Sequence, residues 1–442
     1  MSKNLKINIL LAILFLGIYS NANGQKHPLL IYVDSAWAKN SVNAVAYRHN
    51  ALTTFKNTQY IAFYNSRQEV VLGKRKAGSS KWDLHVTQFK GKASDAHNSI
   101  SIAVDGSGYL HVSWDHHANP LRYSRSISPG SLELSEKMPM TGVKEGKVTY
   151  PEFYTLPNGD FLFFYRDGSS GDGNLRVKRY HHVQQKWDDV QNKLIDGEGL
   201  RNAYSQISVD RFGTIHMTWV WRETGNVATN HDICYAKSID GGKTWIKSTG
   251  EKYNLPINEA TAEYVVRIPQ NSEMINPPAI TSDENGRPYI ATYWRTADSK
   301  VPQYRLLYFT GDRWITQQIT NRITPFTLSG GGTKRIPISR PQIIVTAKAN
   351  KIRALLIYRD AERGSKASVA ISDDLTSGTW RMKDLTAGSL DQWEPNYDYE
   401  LWRKKRILSL FIQNVEQGDG ETLKEIPSQP VSVLQWKPGW KW

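Results

Sequence analysis

Short runs of alternating hydrophobic and polar residues recur along the whole chain, and turns rich in glycine, aspartate or asparagine separate them. This period of two is typical of strands with one buried face, whereas the longer period of amphipathic helices is rare here. The clearest unit is a strand, a tight turn of the form Asp-x-x-Gly or Asn-Gly, and a returning strand that ends in an aromatic and a polar residue. The pattern predicts antiparallel sheet throughout.

The unit recurs along the chain. Four clear and three weaker copies occupy, in chain order, Ala51–Asn65, Ser99–Asp115, Glu152–Arg166, Gln206–Arg222, Pro278–Arg295, Gln342–Arg359 and Asp398–Gln413. In addition, Ser238–Trp245 has the sequence of an Asp-box, the hairpin of sialidase-type propellers. Seven units of about 50 to 70 residues, each forming one sheet, fit a closed ring. We therefore expect an all-β fold, a single seven-bladed β-propeller of four-stranded antiparallel blades.

The first residues have the features of a secretory signal peptide. Lys3 and Lys6 precede the apolar stretch Ile7–Tyr19, which is shorter than the roughly 20 residues that span a bilayer. We expect residues 1–24 to be removed and residues 25–442 to form the propeller. The mature protein is then periplasmic or secreted, and no later stretch is apolar enough to cross a membrane.

The net charge indicates the kind of partner, and the cysteine content limits the possible cross-links. The formal net charge is +14, or +12 without Lys3 and Lys6, and the single cysteine excludes an intramolecular disulfide. A basic surface concentrates polyanions. For an exported protein we expect an anionic polysaccharide or oligosaccharide, and neither nucleic acid nor a membrane. The alternative is that the charge serves solubility alone. We expect a monomer.

Equivalent positions of the repeats converge, because the first strand of every propeller blade lines the central axis. The residues that open these strands form one ring: His49, His97, Tyr150, Tyr204, Asn276, Arg340 and Asn396. The residues that close the second strands form another ring: Asn65, Asp115, Arg166, Arg222, Arg295, Arg359 and Gln413. Partners in the two rings are 16 to 19 residues apart, so we expect both rings at the same mouth of the channel.

The residue types in these rings indicate chemistry on an acidic sugar. Arginine offers a planar fork of donors that matches carboxylate and sulfate groups, and histidine and tyrosine exchange protons. Elimination from a 4-linked uronate needs both: the carboxylate must be neutralised, the C5 proton removed and the departing O4 protonated. A metal is not strictly required. The alternative is that the arginines pair with acids of neighbouring blades, such as Asp167, Glu223 and Asp360.

Three segments resemble the propeller-type ulvan lyases: Asp95–His117, Val148–Gly173 and Ala203–Gly225. The resemblance implies a carbon–oxygen lyase that acts on a polysaccharide of rhamnose and uronate. It also implies the catalytic residues, which are His97, His117, Tyr150 and Arg166. In this family Arg166 would face the uronate carboxylate, and the other three would share the base and acid work.

Further residues are expected to bind substrate. Tyr204 and Arg222 match substrate-contacting positions of the ulvan lyases, and the ring argument adds Arg295, Arg359, His49 and Asn65. Some ulvan lyases hold a structural zinc through histidine and cysteine residues, one of them late in the chain. This sequence has no histidine after His231, so we interpret His231 and Cys234 as ordinary strand residues. We expect no required cofactor, although a structural metal stays open.

Other activities share this architecture and stay open at this stage. A related enzyme could eliminate water at a terminal uronate as an oligosaccharide dehydratase, or remove rhamnose from glucuronate. A sialidase-like hydrolase would also have Asp-boxes and an arginine cluster, but seven units and a first blade without a Phe-Arg-Ile-Pro motif argue against it. A non-catalytic glycan-binding propeller is the remaining alternative.

Overall fold

In the computed structural model, residues 27–46, 50–348 and 351–440 are described, and most of their regular structure is β-strand. The expected signal peptide, residues 1–24, lies outside this part of the chain. One short α-helix, α1 (Tyr399–Lys405), and four single-turn 3-10 helices occur in the loops: Val227–Thr229, Ala361–Arg363, Leu375–Ser377 and Asp419–Glu421. A search of the described residues finds no helix with the length and hydropathy needed to traverse a bilayer.

The strands are short and are numbered in chain order. They are β1 (Leu29–Ala36), β2 (Leu52–Phe55), β3 (Thr58–Tyr64), β4 (Glu69–Lys76), β5 (Asp83–Lys90), β6 (Ile100–Val104), β7 (Leu110–Trp114), β8 (His117–Asn119), β9 (Tyr123–Arg125), β10 (Val148–Thr155), β11 (Phe161–Ser169), β12 (Asp172–His181), β13 (Lys186–Ile195), β14 (Asn202–Val209), β15 (Ile215–Arg222), β16 (Asn230–Ser238), β17 (Glu263–Val266), β18 (Ala279–Ser282), β19 (Pro288–Trp294), β20 (Gln303–Phe309), β21 (Trp314–Gln318), β22 (Gln342–Lys348), β23 (Lys351–Tyr358), β24 (Ser368–Ser372), β25 (Arg381–Asp384), β26 (Leu408–Gln413) and β27 (Gln429–Trp436).

The strands form seven antiparallel sheets, which confirms the predicted seven-bladed propeller. Four sheets have four strands in sequence order: β2–β5, β14–β17, β18–β21 and β22–β25. The sheet β6-β7-β9 is extended by a bridge between Ser126 and Leu134, and the sheet β10–β13 carries β8 at its inner edge. The seventh sheet has the order β1-β27-β26, so it contains both ends of the described chain.

The hydrophobic core is a series of clusters, each packed between neighbouring blades. Val112 of one blade and Tyr60 of the previous blade share a cluster, and so do Ile207 and Leu162 further along the chain. The largest cluster joins the sixth, seventh and first blades. Burial of apolar area between blades is therefore what holds the sheets in a ring, since the described chain contains no disulfide.

Antiparallel pairing of β27 closes the ring. Residues Leu29–Ala36 of β1 pair with β27, and β27 pairs on its other side with β26. The outermost strand of this blade therefore comes from the N-terminal part of the chain and the others from the C-terminal part. Pairing between distant parts of the chain removes two strand edges that would otherwise be open.

The predicted Asp-box forms the hairpin that its sequence indicates. The Asp240 carboxylate accepts hydrogen bonds from Ser238 Oγ and from the Thr244 amide, and the Trp245 indole donates to the Gly242 carbonyl at 3.0 Å. Trp245 is fully buried. The motif thus folds back on itself and anchors its tryptophan between two blades.

The seventh copy of the repeat, Asp398–Gln413, differs from the prediction. Helix α1 stands where its first strand was expected, and the inner edge of the blade is reduced to a single bridge between Tyr397 and Leu410. The reason is Asp398, a buried N-cap that accepts from the Leu401 amide at 2.9 Å and also binds Gln59 of the first blade. A helix cap with partners on two blades overrides the strand pattern.

Because the closing sheet depends on its buried apolar residues, we expect Phe411→Ala to lower the free energy of unfolding by about 3–5 kcal/mol. Phe411 is fully buried in β26 and belongs to the cluster that joins the last blades to the first. Tyr32→Ala is the control, because Tyr32 lies in the same sheet with 57% exposure, and we expect a change within about 0.5 kcal/mol. Thermal and urea unfolding measure the free energy of unfolding of both variants. Equal losses in Phe411→Ala and Tyr32→Ala would contradict the prediction.

Candidate active site

The mouth of the channel is lined by side chains from successive blades that contact one another around the axis. The Tyr150 ring lies 5.8 Å from the His97 ring and 6.1 Å from the Tyr204 ring, measured between centroids. On the other side, Arg222 Nη1 donates to Asn276 Oδ1 at 3.4 Å, and Arg340 Nη1 donates to the Asn276 carbonyl at 3.0 Å. Residues of the two predicted rings are therefore in contact from the second blade to the sixth, with Arg222 linking Tyr204 to Asn276.

Tyr150 lies at an irregularity in β10. Its φ of +51° is in the left-handed region, which tyrosine rarely adopts, and the pairing of β10 with β11 shifts between Thr149 and Glu152. A bulge of this kind changes the direction of one side chain relative to the regular alternation. Strain at a residue of the channel mouth is typical of functional positions.

His97 and His117 reach the same place by different routes. His97 lies in the turn that leads into β6, whereas His117 begins β8, which pairs with Thr149 of β10 beside Tyr150. The two imidazole rings are stacked, with centroids 4.2 Å apart and an angle of 19° between their planes. The crossing of β8 from the second blade to the third therefore brings His117 next to Tyr150.

One carboxylate orients both histidines. Asp95 Oδ1 lies 2.7 Å from His97 Nδ1, and Asp95 Oδ2 lies 2.8 Å from His117 Nδ1. Although burial opposes ionisation of Asp95, these hydrogen bonds hold its pKa well below the usual value. Since Nδ1 of His117 donates to Asp95, the neutral ring presents Nε2 as an acceptor.

A second carboxylate, Glu421, reaches His97 from the closing blade. Its Oε1 lies 3.1 Å from His97 Nδ1 and accepts from the Thr333 amide, while Oε2 accepts from the Ala96 amide. Burial alone would lower the pKa of His97, but hydrogen bonds and charges of Asp95 and Glu421 raise it to about 9. His97 is therefore an imidazolium at neutral pH.

Arg166 and Arg222 enclose the phenol of Tyr204. Arg166 Nη1 donates to Tyr204 Oη at 3.2 Å, and both guanidinium groups lie 5.5 Å from the centre of the Tyr204 ring. Arg166 also lies 5.0 Å from the Tyr150 ring. Burial opposes ionisation of Tyr204, yet the two positive charges lower its pKa to about 8.

Neither Arg166 nor Arg222 forms an ion pair with any described acid within 4.0 Å, whereas Arg295 and Arg340 pair with Glu273 and Glu394. The acids that were alternative partners are engaged elsewhere: Asp167 by Arg176, Glu223 by Arg201 and His231, and Asp360 by Arg322. Arg166 Nε donates a hydrogen bond to the Gly168 carbonyl, and Nη1 donates to Tyr204. Its Nη2 donates to none of the described residues. Two uncompensated positive charges at the mouth favour an anionic ligand.

The remaining predicted substrate-binding residues form other contacts or lie outside the described residues. Arg295 forms an ion pair with Glu273 at 2.8 Å. Arg359 is fully buried, and its guanidinium donates to the carbonyls of Trp393, Pro337 and Ile336. Asn65 stabilises a turn by accepting from the amides of Arg67 and Glu69. His49 lies outside the described residues. Contact of these four residues with substrate stays a prediction.

Asp95, His97 and His117 are, among the described residues, the one set of three metal-binding side chains whose donor atoms lie within 4.8 Å of one another. Both Nδ1 atoms face the same carboxylate at hydrogen-bond distances, so we interpret the set as an oriented histidine pair. His231, a residue considered for zinc, instead contacts Glu223 and Asp232, and Cys234 is buried in the core.

Sequence reasoning missed both carboxylates of the site. Asp95 has a local signal, since it precedes His97 by two residues. Glu421 has none, because it is 325 residues from Ala96 in the chain and comes close only through the closing blade.

Comparison with known proteins identifies the family of this chain. The sequence model described as BNR repeat-containing family member matches residues 58–322, which is more than half of the chain. The chain belongs to the BNR repeat-containing family. An ulvan lyase of family PL25 from Pseudoalteromonas sp. (strain PLSV) is 23% identical over 377 residues, which are 77% of this chain and 72% of the relative. A long-isoform ulvan lyase from Alteromonas sp. is 23% identical over 332 residues, 59% of this chain but only 33% of that protein.

Solved structures give the same fold for this member of the BNR repeat-containing family. The crystal structure of polysaccharide lyase Uly1 superposes with a TM-score of 0.70 at 17% identity, covering 94% of this chain and 99% of the other. A PL25 ulvan lyase bound to -[GlcA(1-4)Rha3S]- superposes with a TM-score of 0.66 at 13% identity, covering 93% and 96%. At these identities the structures show the fold alone.

We expect Glu421→Gln to lower the pKa of His97 by about one to three pH units, because an opposite charge in contact is removed. The positive charge of His97 is present below its pKa and lost above it, so the variant becomes neutral at a lower pH than the wild type. NMR titration of the imidazole protons measures this shift without reference to activity.

The control is Asp419→Asn, which removes a carboxylate from the same loop. Asp419 binds the Arg335 amide and lies near Lys334, not His97. We expect the pKa of His97 to stay unchanged in this control. An unchanged pKa in Glu421→Gln would show that Glu421 does not hold the charge of His97.

Proposed function

We propose that this protein is a polysaccharide lyase that cleaves an ulvan-like glycan by β-elimination at a uronate. The observation that carries the proposal is that Arg166 and Arg222 have no acidic partner among the described residues and lie beside Tyr150 and the histidine pair oriented by Asp95. This arrangement combines charge neutralisation with groups that transfer protons, and elimination from a uronate needs both.

Arg166 is assigned to the uronate carboxylate. Removing the proton from C5 places negative charge on the carbon next to the carboxylate, so a fixed positive charge there stabilises the transition state. Arg166 is held by the Gly168 carbonyl and by Tyr204 and needs little reorganisation. Arg222 binds the Thr224 and Gly225 carbonyls and contributes to the positive potential.

His117 is assigned as the base. Its Nδ1 is hydrogen-bonded to Asp95, so Nε2 carries the lone pair in the neutral form of the ring, and its side chain is partly exposed toward solvent. His97 is less suited, because it already carries a proton at neutral pH. The positive charge of His97 is instead balanced by Asp95 and Glu421, with which it forms ion pairs.

Tyr150 is assigned as the acid that protonates O4. Its ring lies beside His97 and 5.0 Å from the Arg166 guanidinium, and nearby cations stabilise the phenolate left after proton transfer. In the complete step His117 takes the C5 proton, the electron pair forms the C4–C5 double bond, the C4–O4 bond breaks and O4 receives the phenolic proton. The products are an unsaturated uronate and a shortened chain.

The relatives support the choice of substrate. Several proteins named ulvan lyases resemble this chain at low identity, and one similar structure contains a glucuronate linked to sulfated rhamnose. The excess of basic residues suits such a polyanion. We also propose, from the N-terminal sequence, that the protein is exported and acts outside the cytoplasm. We propose separately that it acts as a monomer.

Mass spectrometry of products from ulvan and its oligosaccharides tests this function. Chain cleavage with an unsaturated uronate at the new end supports a lyase. Loss of one water without chain cleavage would instead identify a dehydratase, and added water would identify a hydrolase. A protein that binds the glycan and releases none of these products would be a binding module.

Arg166→Ala is expected to lower kcat/KM by about 10²–10³-fold or more, as when a preorganised charge contact in a transition state is lost. Arg295→Ala is the matched control, since Arg295 lies in the same predicted ring but is neutralised by Glu273. We expect less than about a tenfold loss there, corresponding to less than 1.4 kcal/mol. The ultraviolet absorbance of the unsaturated product follows both reactions, and equal losses would remove Arg166 from its assigned role.

Activity is expected to survive dialysis against EDTA. Arginine supplies the charge that a metal would otherwise supply, and both histidine Nδ1 atoms are engaged by Asp95. The measurement compares initial rates before dialysis, after it and after addition of zinc. Loss of activity that zinc restores would instead make Asp95, His97 and His117 a metal centre.

A further inference from the structure

A cavity among the described residues lies away from the mouth, on the flank of the blade β2–β5. It has a volume of about 570 Å³, whereas the cavity beneath Tyr150 and Arg166 holds about 30 Å³. Volumes of about 300–1,000 Å³ are usual for ligand sites. This flank groove is lined by Thr58, Tyr60, Lys74, Arg75, Lys76, Ser79, Lys81, Trp82, Asp83 and Gly130.

The flank groove has an excess of positive charge. Four of its lining residues are cationic and only Asp83 is acidic. Lys76 and Lys81 are exposed and have no described acid within 4.0 Å. Lys74 lies 3.8 Å from Asp83 and donates to the Gly130 carbonyl, so its charge is only partly compensated. A concave surface with more positive than negative side chains attracts anions.

Trp82 adds an aromatic surface to these charges. It is half-buried, with the Arg75 guanidinium 5.0 Å from the ring centre, and its indole nitrogen is buried without a hydrogen-bond partner in the described structure. Arg75 is held by Gln59 and by the Ser79 carbonyl. An aromatic surface beside flexible lysines suits a sugar ring that presents an apolar C–H face and carries acidic groups.

The flank groove lies far from the mouth. Strand β3 begins at Thr58, in the groove, and ends at Tyr64, next to Asn65, whose counterpart at the mouth is Arg166. Seven strand residues span about 20 Å. A short oligosaccharide in the active site would therefore not reach the groove, whereas a polymer could occupy both.

We propose that the flank groove is a second, non-catalytic binding site for the anionic polysaccharide. The proposal rests on the proposed function for the identity of the polymer. Binding of one segment in the groove raises the effective concentration of other segments near the mouth, without a change in the chemical step.

The test compares the full-length wild type with the double variant Lys76→Gln/Lys81→Gln. Biolayer interferometry measures the dissociation constant for immobilised ulvan, and initial rates are measured with ulvan and with an ulvan tetrasaccharide. We expect the dissociation constant and the KM for ulvan to rise on the order of tenfold, while kcat/KM for the tetrasaccharide stays unchanged.

The control variant is Lys243→Gln/Lys405→Gln, which removes the same charge from two exposed lysines outside the groove. Equal weakening in both double variants would overturn the proposal, because net charge alone would explain it. Unchanged binding in the groove variant would also overturn it. Binding of immobilised ulvan does not depend on turnover, so weaker binding in the groove variant alone would support the groove even if no unsaturated product were ever detected.

Discussion

The pairing of β27 with β26 on one side and with β1 on the other is the constraint on which the structure depends. This pairing joins distant parts of the chain and makes the seven sheets share one axis. The candidate site needs that axis, because its residues come from the second, third and fourth blades. The closing blade also contributes directly, since Glu421 lies in the loop between β26 and β27 and contacts His97.

The charges at the mouth are divided in an uneven way. The carboxylates Asp95 and Glu421 are engaged by histidines and backbone amides, while Arg166 and Arg222 have no acidic partner among the described residues. Other buried arginines, such as Arg322 and Arg340, are compensated by Asp360 and Glu394. A buried cation without an opposite charge lowers the free energy of unfolding, unless a ligand or solvent stabilises its charge. The mouth therefore favours an acidic ligand, which the proposed chemistry uses.

The repeat predicted backbone positions better than side-chain roles. The arginine that ends the second strand has no acidic partner among the described residues in the third and fourth blades, forms an ion pair in the fifth and donates to three carbonyls in the sixth. These residues have equivalent places in the repeat, yet each meets a different neighbour across the blade interface. The Asp398–Gln413 copy shows the same limit, because a buried helix cap replaced the expected strand.

The sequence by itself determined the number of blades and the Asp-box hairpin, because these follow from local periodicity and turn chemistry, and it predicted a set of candidate residues near the axis. Only the tertiary structure decided which of those residues share a site. In the tertiary structure His117 lies on β8 beside Tyr150. Glu421 contacts His97 although the two residues are more than 300 positions apart in the chain. The physical reason is that charge compensation and proton affinity depend on neighbours in space, and in a closed ring those neighbours come from other blades.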